Sequence, residues 1–275
     1  MIKRIAKNNK IFSSIEFERD KHLFSTILND LSSDKMLYSD EQNYIFCYHP
    51  GFPIWIWTKS RIAYKCLQEI EALINLYVDD KKQIICKSDL YKILFSNNED
   101  IICENNHKIS FYECHNIIKP KICSGSIYIP TVLDIPNLID LYYESNLEVK
   151  GFDALSREDV EKKITNLIIK NDNNYYNDTS GVYAWKDNNK IVSFAIYSSI
   201  GDMAKIDDVF TSFQDRHKGY ASNLIYCVTK EIINEGIFPI VYISNNNGNN
   251  LYKNIGYQEC GELINFTCRV KYKRR

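Results

Sequence analysis

A short basic loop with one glycine carries the clearest chemical signal in the sequence. Residues 209–221 read V-F-T-S-F-Q-D-R-H-K-G-Y-A. A buried strand is predicted just before, at residues 203–210, and the apolar residues that follow recur at the i, i+3, i+4 and i+7 spacing of one helix face. A helix start presents free backbone N–H groups and the positive end of the helix dipole. The loop is therefore suited to bind an anion such as a diphosphate.

Individual residues of the loop support this interpretation. Gly219 lets the backbone turn sharply and approach a ligand closely, and Ala221 keeps the next turn small. Arg216 and Lys218 add positive charge. The loop is neither a P-loop nor a G-x-G-x-x-G dinucleotide loop, because neither pattern is present. An ordinary strand–helix turn with solvated basic residues is the alternative interpretation.

Three segments in order resemble one known family. R-H-K-G-Y-A resembles the Q/R-x-x-G-x-G/A loop with which GNAT acyl-CoA-dependent N-acyltransferases bind the pyrophosphate of coenzyme A. V-F-T at residues 209–211 looks like the V-x-T that ends the fourth strand of that family. Residues 242–257 resemble its fifth strand, an asparagine, and the L-Y-x-x-x-G-F/Y segment that follows. The resemblance covers residues 125–271 and implies an acetyl-CoA-dependent N-acetyltransferase.

The resemblance also implies which residues hold the cofactor, largely through backbone N–H groups. Phe210 and Thr211 are expected to bind the pantetheine arm as an added strand, and a backbone N–H near Val209 to stabilise the thioester oxygen. Asn245 is expected to hydrogen-bond the cofactor, with capping of the next helix as the alternative. The complete expected set is Val209, Phe210, Thr211, Arg216, His217, Lys218, Gly219, Tyr220, Ala221, Ser222 and Asn245.

Tyr252 is the predicted general acid. A phenol with a pKa near ~10 can protonate a leaving thiolate of similar basicity if it lies within hydrogen-bond reach. The alternative is a core tyrosine under a short helix, which would be the default for most of the twenty tyrosines. The L-Y-x-x-x-G-Y context favours the catalytic role.

The general base is less defined by the sequence. Asp207 and Asp208 lie on the fourth strand of the resemblance, and strand alternation predicts that they face opposite sides. Either could act through water or bind a cationic amine, and a salt-bridged carboxylate is the alternative for each. Some members of the family need no dedicated base because the amine binds already neutral.

The fold class predicted from these elements is α/β with a mixed α+β sheet. Residues 123–275 are predicted to form a GNAT domain, and residues 119–121 the linker before it. Residues 1–122 are predicted to form a smaller α+β domain that shapes the acceptor site, itself either GNAT-like or unrelated. Residues 97–106 are predicted to be a polar loop, and residues 257–270 a hairpin around Gly261.

Composition excludes several classes of function. The net charge of −1 gives no field for nucleic acid or an anionic membrane, and no apolar run is long enough for a membrane span. The first eight residues lack the apolar run of a signal peptide, so a cytoplasmic protein is predicted. Nine cysteines without C-x-x-C pairs predict reduced thiols. No metal is expected, because the histidines and cysteines of residues 103–123 fit no common zinc spacing. The expected partner is a small-molecule amine, with monomer and homodimer both open, and a non-catalytic acyl-CoA-binding or sensor protein is the alternative function.

Overall fold

The structure is a computed structural model that describes residues 1–28, 35–78, 81–96, 98, 100–150, 155–172, 180–200, 202–243 and 249–271. Its helices are α1 (Ile15–Asp20), α2 (Ser25–Leu28), α3 (Tyr64–Tyr77), α4 (Ser88–Leu94), α5 (Ile135–Lys150), α6 (Arg157–Asp172), α7 (Tyr220–Asn234) and α8 (Asn249–Ile255). Its strands are β1 (Lys3–Arg4), β2 (Met36–Ser39), β3 (Tyr44–Tyr48), β4 (Ile54–Thr58), β5 (Lys82–Cys86), β6 (Ile101–Glu113), β7 (Ser126–Tyr128), β8 (Ser180–Asp187), β9 (Lys190–Ile200), β10 (Met203–Thr211), β11 (Phe238–Ile243) and β12 (Gln258–Val270). The predicted mixed α/β class is confirmed.

The chain divides into two compact units. The first unit comprises Met1–Phe111 together with Cys260–Arg275, and the second comprises Tyr112–Glu259. The predicted division instead placed all of residues 123–275 in one domain. Residues 119–121, the predicted linker, lie inside the second unit, where Ile118 donates its backbone N–H to the carbonyl of Ile255 at 2.7 Å.

The first unit is an α+β structure with its own core. Its strands follow the order β1-β2-β3-β4-β5-β12-β6. The amphipathic helix α3 buries Ile70 and Ile74 against the sheet, where Ile54 and Ile56 of β4 are fully buried. Phe266 of β12 belongs to the same core.

The second unit has helices on both faces of a mixed sheet. Its strands follow the order β11-β10-β9-β8-β7, and only the β10–β11 pair is parallel among those with a described register. The helices α5 and α6 pack on one face around Phe194, whereas α7 and α8 pack on the other around Leu224. The element order β7-α5-α6-β8-β9-β10-α7-β11-α8 agrees with the predicted order in this region.

Two sequence predictions for the remaining strands are wrong. Residues 101–106, predicted as part of a polar loop, belong to β6. The predicted hairpin around Gly261 is a single strand, β12. A side chain at Gly261 would lie 2.8 Å from the Leu23 side chain, so this glycine allows close packing within a strand.

None of the helices in the described part of the chain combines the length and apolar character needed to cross a membrane.

Candidate functional site

The parallel strands β10 and β11 separate towards their C-terminal ends. Their pairing runs over four residues and ends at Ile206 and Val241. Beyond this point β10 pairs only with β9 among the described residues, although β11 continues to Ile243. Residues 207–211 therefore offer an open strand edge, where an extended ligand can form strand-like hydrogen bonds.

A β-bulge lies where the two strands separate. Ile206 opposes Tyr197 of β9, and Val209 opposes Ala195, so β10 carries one extra residue between these pairs. An extra residue bends the strand and increases its local twist. The bulge begins at Ile206, where the pairing with β11 ends. We call Asp207 and Asp208, the residues between the two pairs, the acidic bulge.

Backbone direction along β10 determines which residues face the open edge. Ser212 donates its N–H to the carbonyl of Val192 on β9 at 3.1 Å. Because antiparallel pairs alternate, Phe210 also directs its N–H and carbonyl towards β9, whereas Val209 and Thr211 direct theirs to the open edge. Val209 and Thr211 thus have backbone groups at the open edge, whereas the backbone of Phe210, predicted to bind the pantetheine arm, is directed to β9. The predicted ligand contacts of Val209 and Thr211 stay predictions. Phe210 instead buries its ring between the sheet and α5–α6.

The loop between β10 and α7, residues 212–219, ends in an uncapped helix start. Gly219 is the N-cap of α7 with φ 88° and ψ 2°, and no side chain caps this end. The first backbone bond of the helix joins Asn223 N to Gly219 O at 3.1 Å. The N–H groups of Tyr220, Ala221 and Ser222 precede that bond, so the helix itself leaves them to a ligand. We call residues 212–219 the helix-start loop.

Arg216 is held by an acidic residue far away in sequence. Its guanidinium donates to both carboxylate oxygens of Glu148 on α5, one of them at 2.9 Å. Its Nε donates to the carbonyl of Thr211 at 3.1 Å, and its plane lies over the Phe210 ring. The hydrogen bonds to Glu148 raise the pKa of Arg216. The arginine therefore joins the helix-start loop to α5, and its charge is already paired.

Lys218 is also paired. Its ammonium donates to Asp215 at 2.8 Å, and Lys190 donates to the same carboxylate at 3.0 Å. The hydrogen bonds from Lys218 and Ser212 hold the pKa of Asp215 far below its usual range. The positive charge expected from Arg216 and Lys218 is thus largely compensated, which leaves the backbone N–H groups as the principal anion donors.

The side chains at the start of α7 hold the loop in place. The Tyr220 ring is buried, and its hydroxyl donates to Asp187 at 2.8 Å. Asn223 donates its side-chain amide to the carbonyls of Gly219 and Lys121, at 3.0 and 2.9 Å. His217 is exposed and adopts a left-handed φ of 62°. These contacts hold the loop in its conformation. The Tyr220 ring is buried in the core, so it does not line the surface where a ligand would bind.

The acidic bulge places both carboxylates on one face of the sheet. Asp208 accepts hydrogen bonds from Tyr142 at 2.8 Å and Lys163 at 3.0 Å, which belong to α5 and α6. Asp207 accepts a hydrogen bond from Ser198 of β9 and forms an ion pair with Lys205. Alternate residues of β9 before Ser198, namely Ile196 and Phe194, face α5 and α6, so Asp207 lies on that face as well. The prediction of opposite faces is wrong, because the extra residue of the bulge interrupts the alternation.

Both carboxylates of the bulge have a lysine partner. Partial burial opposes the ionisation of Asp208, but the charge and hydrogen bond of Lys163 hold its pKa below the usual value. Asp208 therefore stays ionised at neutral pH and is a weak proton acceptor.

Tyr252 lies on α8, on the face of the sheet opposite the acidic bulge. Its side chain is buried in the core around α7, with its ring edge-on to Tyr257 at 5.6 Å. Burial, followed by the charges of Asp208 and Asp207, raises the pKa of its phenol well above the usual value. The raised pKa keeps the phenol protonated at neutral pH but makes it a weaker acid than an ordinary tyrosine, and among the described residues its hydroxyl has no hydrogen-bond partner. Asn245 lies outside the described residues.

The fold of the chain has counterparts among solved structures. A GNAT-family acetyltransferase from Colwellia psychrerythraea superposes with a TM-score of 0.61, at 12% identity over 97% of this chain and 99% of that chain. This chain has the fold of the GNAT acyltransferases. A GCN5-related N-acetyltransferase from Sphaerobacter thermophilus gives a TM-score of 0.60 at 12% identity, over 97% of this chain and 94% of that one.

Sequence comparison supports the same GNAT fold in part of the chain. Residues 179–269 match the family described as FR47-like protein. A GCN5-related N-acetyltransferase from Kribbella flavida gives a TM-score of 0.57 at 10% identity, over 90% of this chain and 94% of that chain. No curated protein matches the chain in sequence.

Sequence reasoning missed three residues that shape this candidate site. Glu148, which pairs with Arg216, is separated from it by 68 positions, and no local pattern connects them. Asp215 could have been found, because it lies three residues before Lys218. Asn223 carries a weaker signal, as a polar residue on the apolar face of a predicted helix.

Proposed function

We propose that this protein is an N-acetyltransferase that moves an acetyl group from acetyl-CoA to a primary amine of a small molecule by direct attack. One observation carries the proposal: the open edge of β10 is followed, through the helix-start loop, by an uncapped helix start. An extended thioester with a diphosphate at its far end is the class of ligand that matches a strand edge followed by free helix N–H groups.

Each part of the site then has a chemical task. The backbone of Val209 and Thr211 binds the pantetheine arm, and the N–H groups of Tyr220, Ala221 and Ser222 bind the diphosphate. As the amine attacks, negative charge develops on the thioester oxygen, and the Val209 N–H stabilises it. The tetrahedral intermediate expels the coenzyme A thiolate, which takes the phenolic proton of Tyr252.

The acidic bulge has a positioning role in this proposal. Asp208 orients Tyr142 and Lys163, and Asp207 orients Ser198, on the face of the sheet that carries α5 and α6. Because both carboxylates are already paired with lysine, we assign neither as a dedicated base. The amine loses its proton to water or enters in its neutral form.

Ligand binding and turnover test the proposal separately. Acetyl-CoA at about 100 times its Kd adds about 2.7 kcal/mol to the stability of the folded state, which raises the melting temperature by about 5 °C or more. The absence of any shift at millimolar acetyl-CoA would contradict cofactor binding. An amine screen with thiol detection then identifies the acceptor class.

Tyr252→Phe tests the assigned acid. We expect its kcat to fall by about 10²-fold, because a general acid contributes on that order, while the acetyl-CoA shift is retained. Tyr257→Phe is the matched control, since Tyr257 is a second buried tyrosine whose hydroxyl bonds to Thr229 at 2.8 Å. Equal kcat values for the two variants would contradict the role of Tyr252.

A non-catalytic acyl-CoA-binding protein is the second candidate, favoured by the lysine pairing of both Asp207 and Asp208. It predicts the same acetyl-CoA shift without turnover for any amine. Tyr252→Phe would then behave as the wild type in every assay.

A further inference from the structure

Two cysteines lie opposite each other on neighbouring strands of the first unit. Lys271 donates its backbone N–H to the carbonyl of Asp100 at 2.9 Å, which fixes the register between the end of β12 and the start of β6. Three residues along each antiparallel strand from this pair are Cys103 and Cys268. The side chains of Arg269 and Glu104, 3.7 Å apart, agree with this register.

The hydrogen-bond pattern places the two sulfurs in the closer type of strand pair. Asp100 and Lys271 form a hydrogen-bonded pair, so alternation makes Cys103 and Cys268 a non-hydrogen-bonded pair, with Cα atoms expected at about 4.5 Å. A disulfide spans Cα distances of about 4.4–6.8 Å. Asn105, whose left-handed φ of 53° is typical of a bulge residue, lies beyond the pair and leaves its register intact.

The surroundings of the two thiols differ. Cys268 is fully buried in the core of the first unit, whereas Cys103 is half-buried and reachable from solvent. A hydrogen bond from the Cys268 thiol lowers the pKa of Cys103, and the same bond together with burial raises the pKa of Cys268. An oxidant from solvent therefore reaches the Cys103 thiol first, and the buried Cys268 thiol is available to react with the oxidised Cys103.

Two further cysteines, Cys66 and Cys86, belong to this core, and Cys86 is out of reach of Cys268. Cys86 lies on β5 opposite Ile264, and Cys268 lies opposite Lys82. The two sulfurs are thus four residues apart along the sheet, or about 13 Å at the rise of a strand. Cys86 is also fully buried.

We propose that Cys103 and Cys268 form a reversible redox pair that a hydroperoxide converts to a disulfide. The Cys103 thiolate attacks the peroxide, its sulfur is oxidised to a sulfenic acid, and the peroxide O–O bond breaks to release water or an alcohol. The Cys268 thiol then attacks the Cys103 sulfur, an S–S bond forms, and a second water leaves. Overall, two thiols lose two electrons and two protons to one peroxide.

The consequence is a covalent bond between β6 and β12 that a dithiol reductant removes. This modification site is independent of the proposed acyl transfer, because it uses no residue of the second unit.

Thiol mapping after peroxide treatment tests the proposal. The full chain is exposed to hydrogen peroxide, denatured, alkylated and digested, and its peptides are compared with an untreated sample. We expect the loss of two of its nine thiols, a peptide pair joined through Cys103 and Cys268, and full recovery of both thiols with dithiothreitol. Alkylation of both residues after treatment, or a bridge to another cysteine, would overturn the proposal, as would Cys103 ending as sulfinic acid without a bridge.

Substitutions confirm the assignment. Cys103→Ser and Cys268→Ser should each abolish the bridge, whereas Cys123→Ser, which also changes a half-buried cysteine, should retain it. If a serine at the buried position 268 prevents folding, the peptide map of the unmodified chain decides the question by itself.

Discussion

The helix-start loop and the acidic bulge lie a few residues apart in the chain, yet they differ in which groups make contacts. Backbone groups matter in the first region and side-chain carboxylates in the second. In the helix-start loop the charged side chains of Arg216 and Lys218 have acidic partners, and the groups left for a ligand are the backbone N–H donors of the first turn of α7 that follows. In the acidic bulge the carboxylates themselves make the contacts, to Lys163, Tyr142 and Ser198. Substitutions should therefore act through backbone geometry in the loop and through side-chain charge in the bulge.

The largest effect is expected from Gly219→Ala. Gly219 has a φ of +88°, which costs a residue with a Cβ about 1–2 kcal/mol, although the nearest atom to that Cβ, on Cys123, leaves room at 3.6 Å. Relief of this strain would displace the free N–H groups, so we expect the affinity for acetyl-CoA to fall about 10-fold. Isothermal titration calorimetry measures this directly.

Gly236→Ala is the matched control, because Gly236 follows the other end of α7 with a φ of +74° and open space around it. It should lower stability similarly and leave acetyl-CoA affinity unchanged. Equal affinities for the two variants would show that the backbone at Gly219 is not what binds the cofactor.

A smaller effect is expected in the acidic bulge, where Asp208→Asn removes the charge that pairs with Lys163. A carboxylate with a lowered folded-state pKa contributes stability above its unfolded pKa, and loses it as the pH falls through the folded value. The pair is partly exposed, so we expect the variant to melt about 1–3 °C below the wild type at pH 7.

The pH dependence identifies the cause of that difference. The difference in melting temperature between the two proteins should stay constant down to about pH 5. It should shrink below pH 3.8, the ordinary pKa of an aspartate. Melting curves of both proteins between pH 7 and pH 3 measure it. A difference that is unchanged or larger in acid would assign the loss to packing and not to charge.

The smallest effect is expected from Lys218→Ala in the helix-start loop. Its ammonium is half-exposed and paired with Asp215, so its removal should change acetyl-CoA affinity by less than about 3-fold. Lys230→Ala, at an exposed position of α7, gives the baseline for loss of one charge. If Lys218→Ala alone lowered acetyl-CoA affinity 10-fold or more, the Lys218 side chain would have to bind the phosphates. Side-chain charge would then matter in both regions, which would contradict the difference between them.

Sequence patterns predicted the local elements of the site well. The apolar spacing after Gly219 predicted α7, and the apolar run before Val209 predicted β10. Patterns failed where a residue type has two structural uses. Gly261 was interpreted as a turn residue because glycine often marks turns, but it provides space for Leu23 beside a continuous strand.

The sequence alone determined the loop's backbone chemistry, since glycine at position 219 and a helix pattern after it are local properties of the chain. Only the tertiary structure decided which charges remain available and which strand positions face each other. Glu148 compensates Arg216 from another helix, the bulge brings Asp207 and Asp208 to one face, and the strand register sets Cys103 opposite Cys268. Each depends on the packing or pairing of segments distant in sequence, which local propensity and periodicity do not encode.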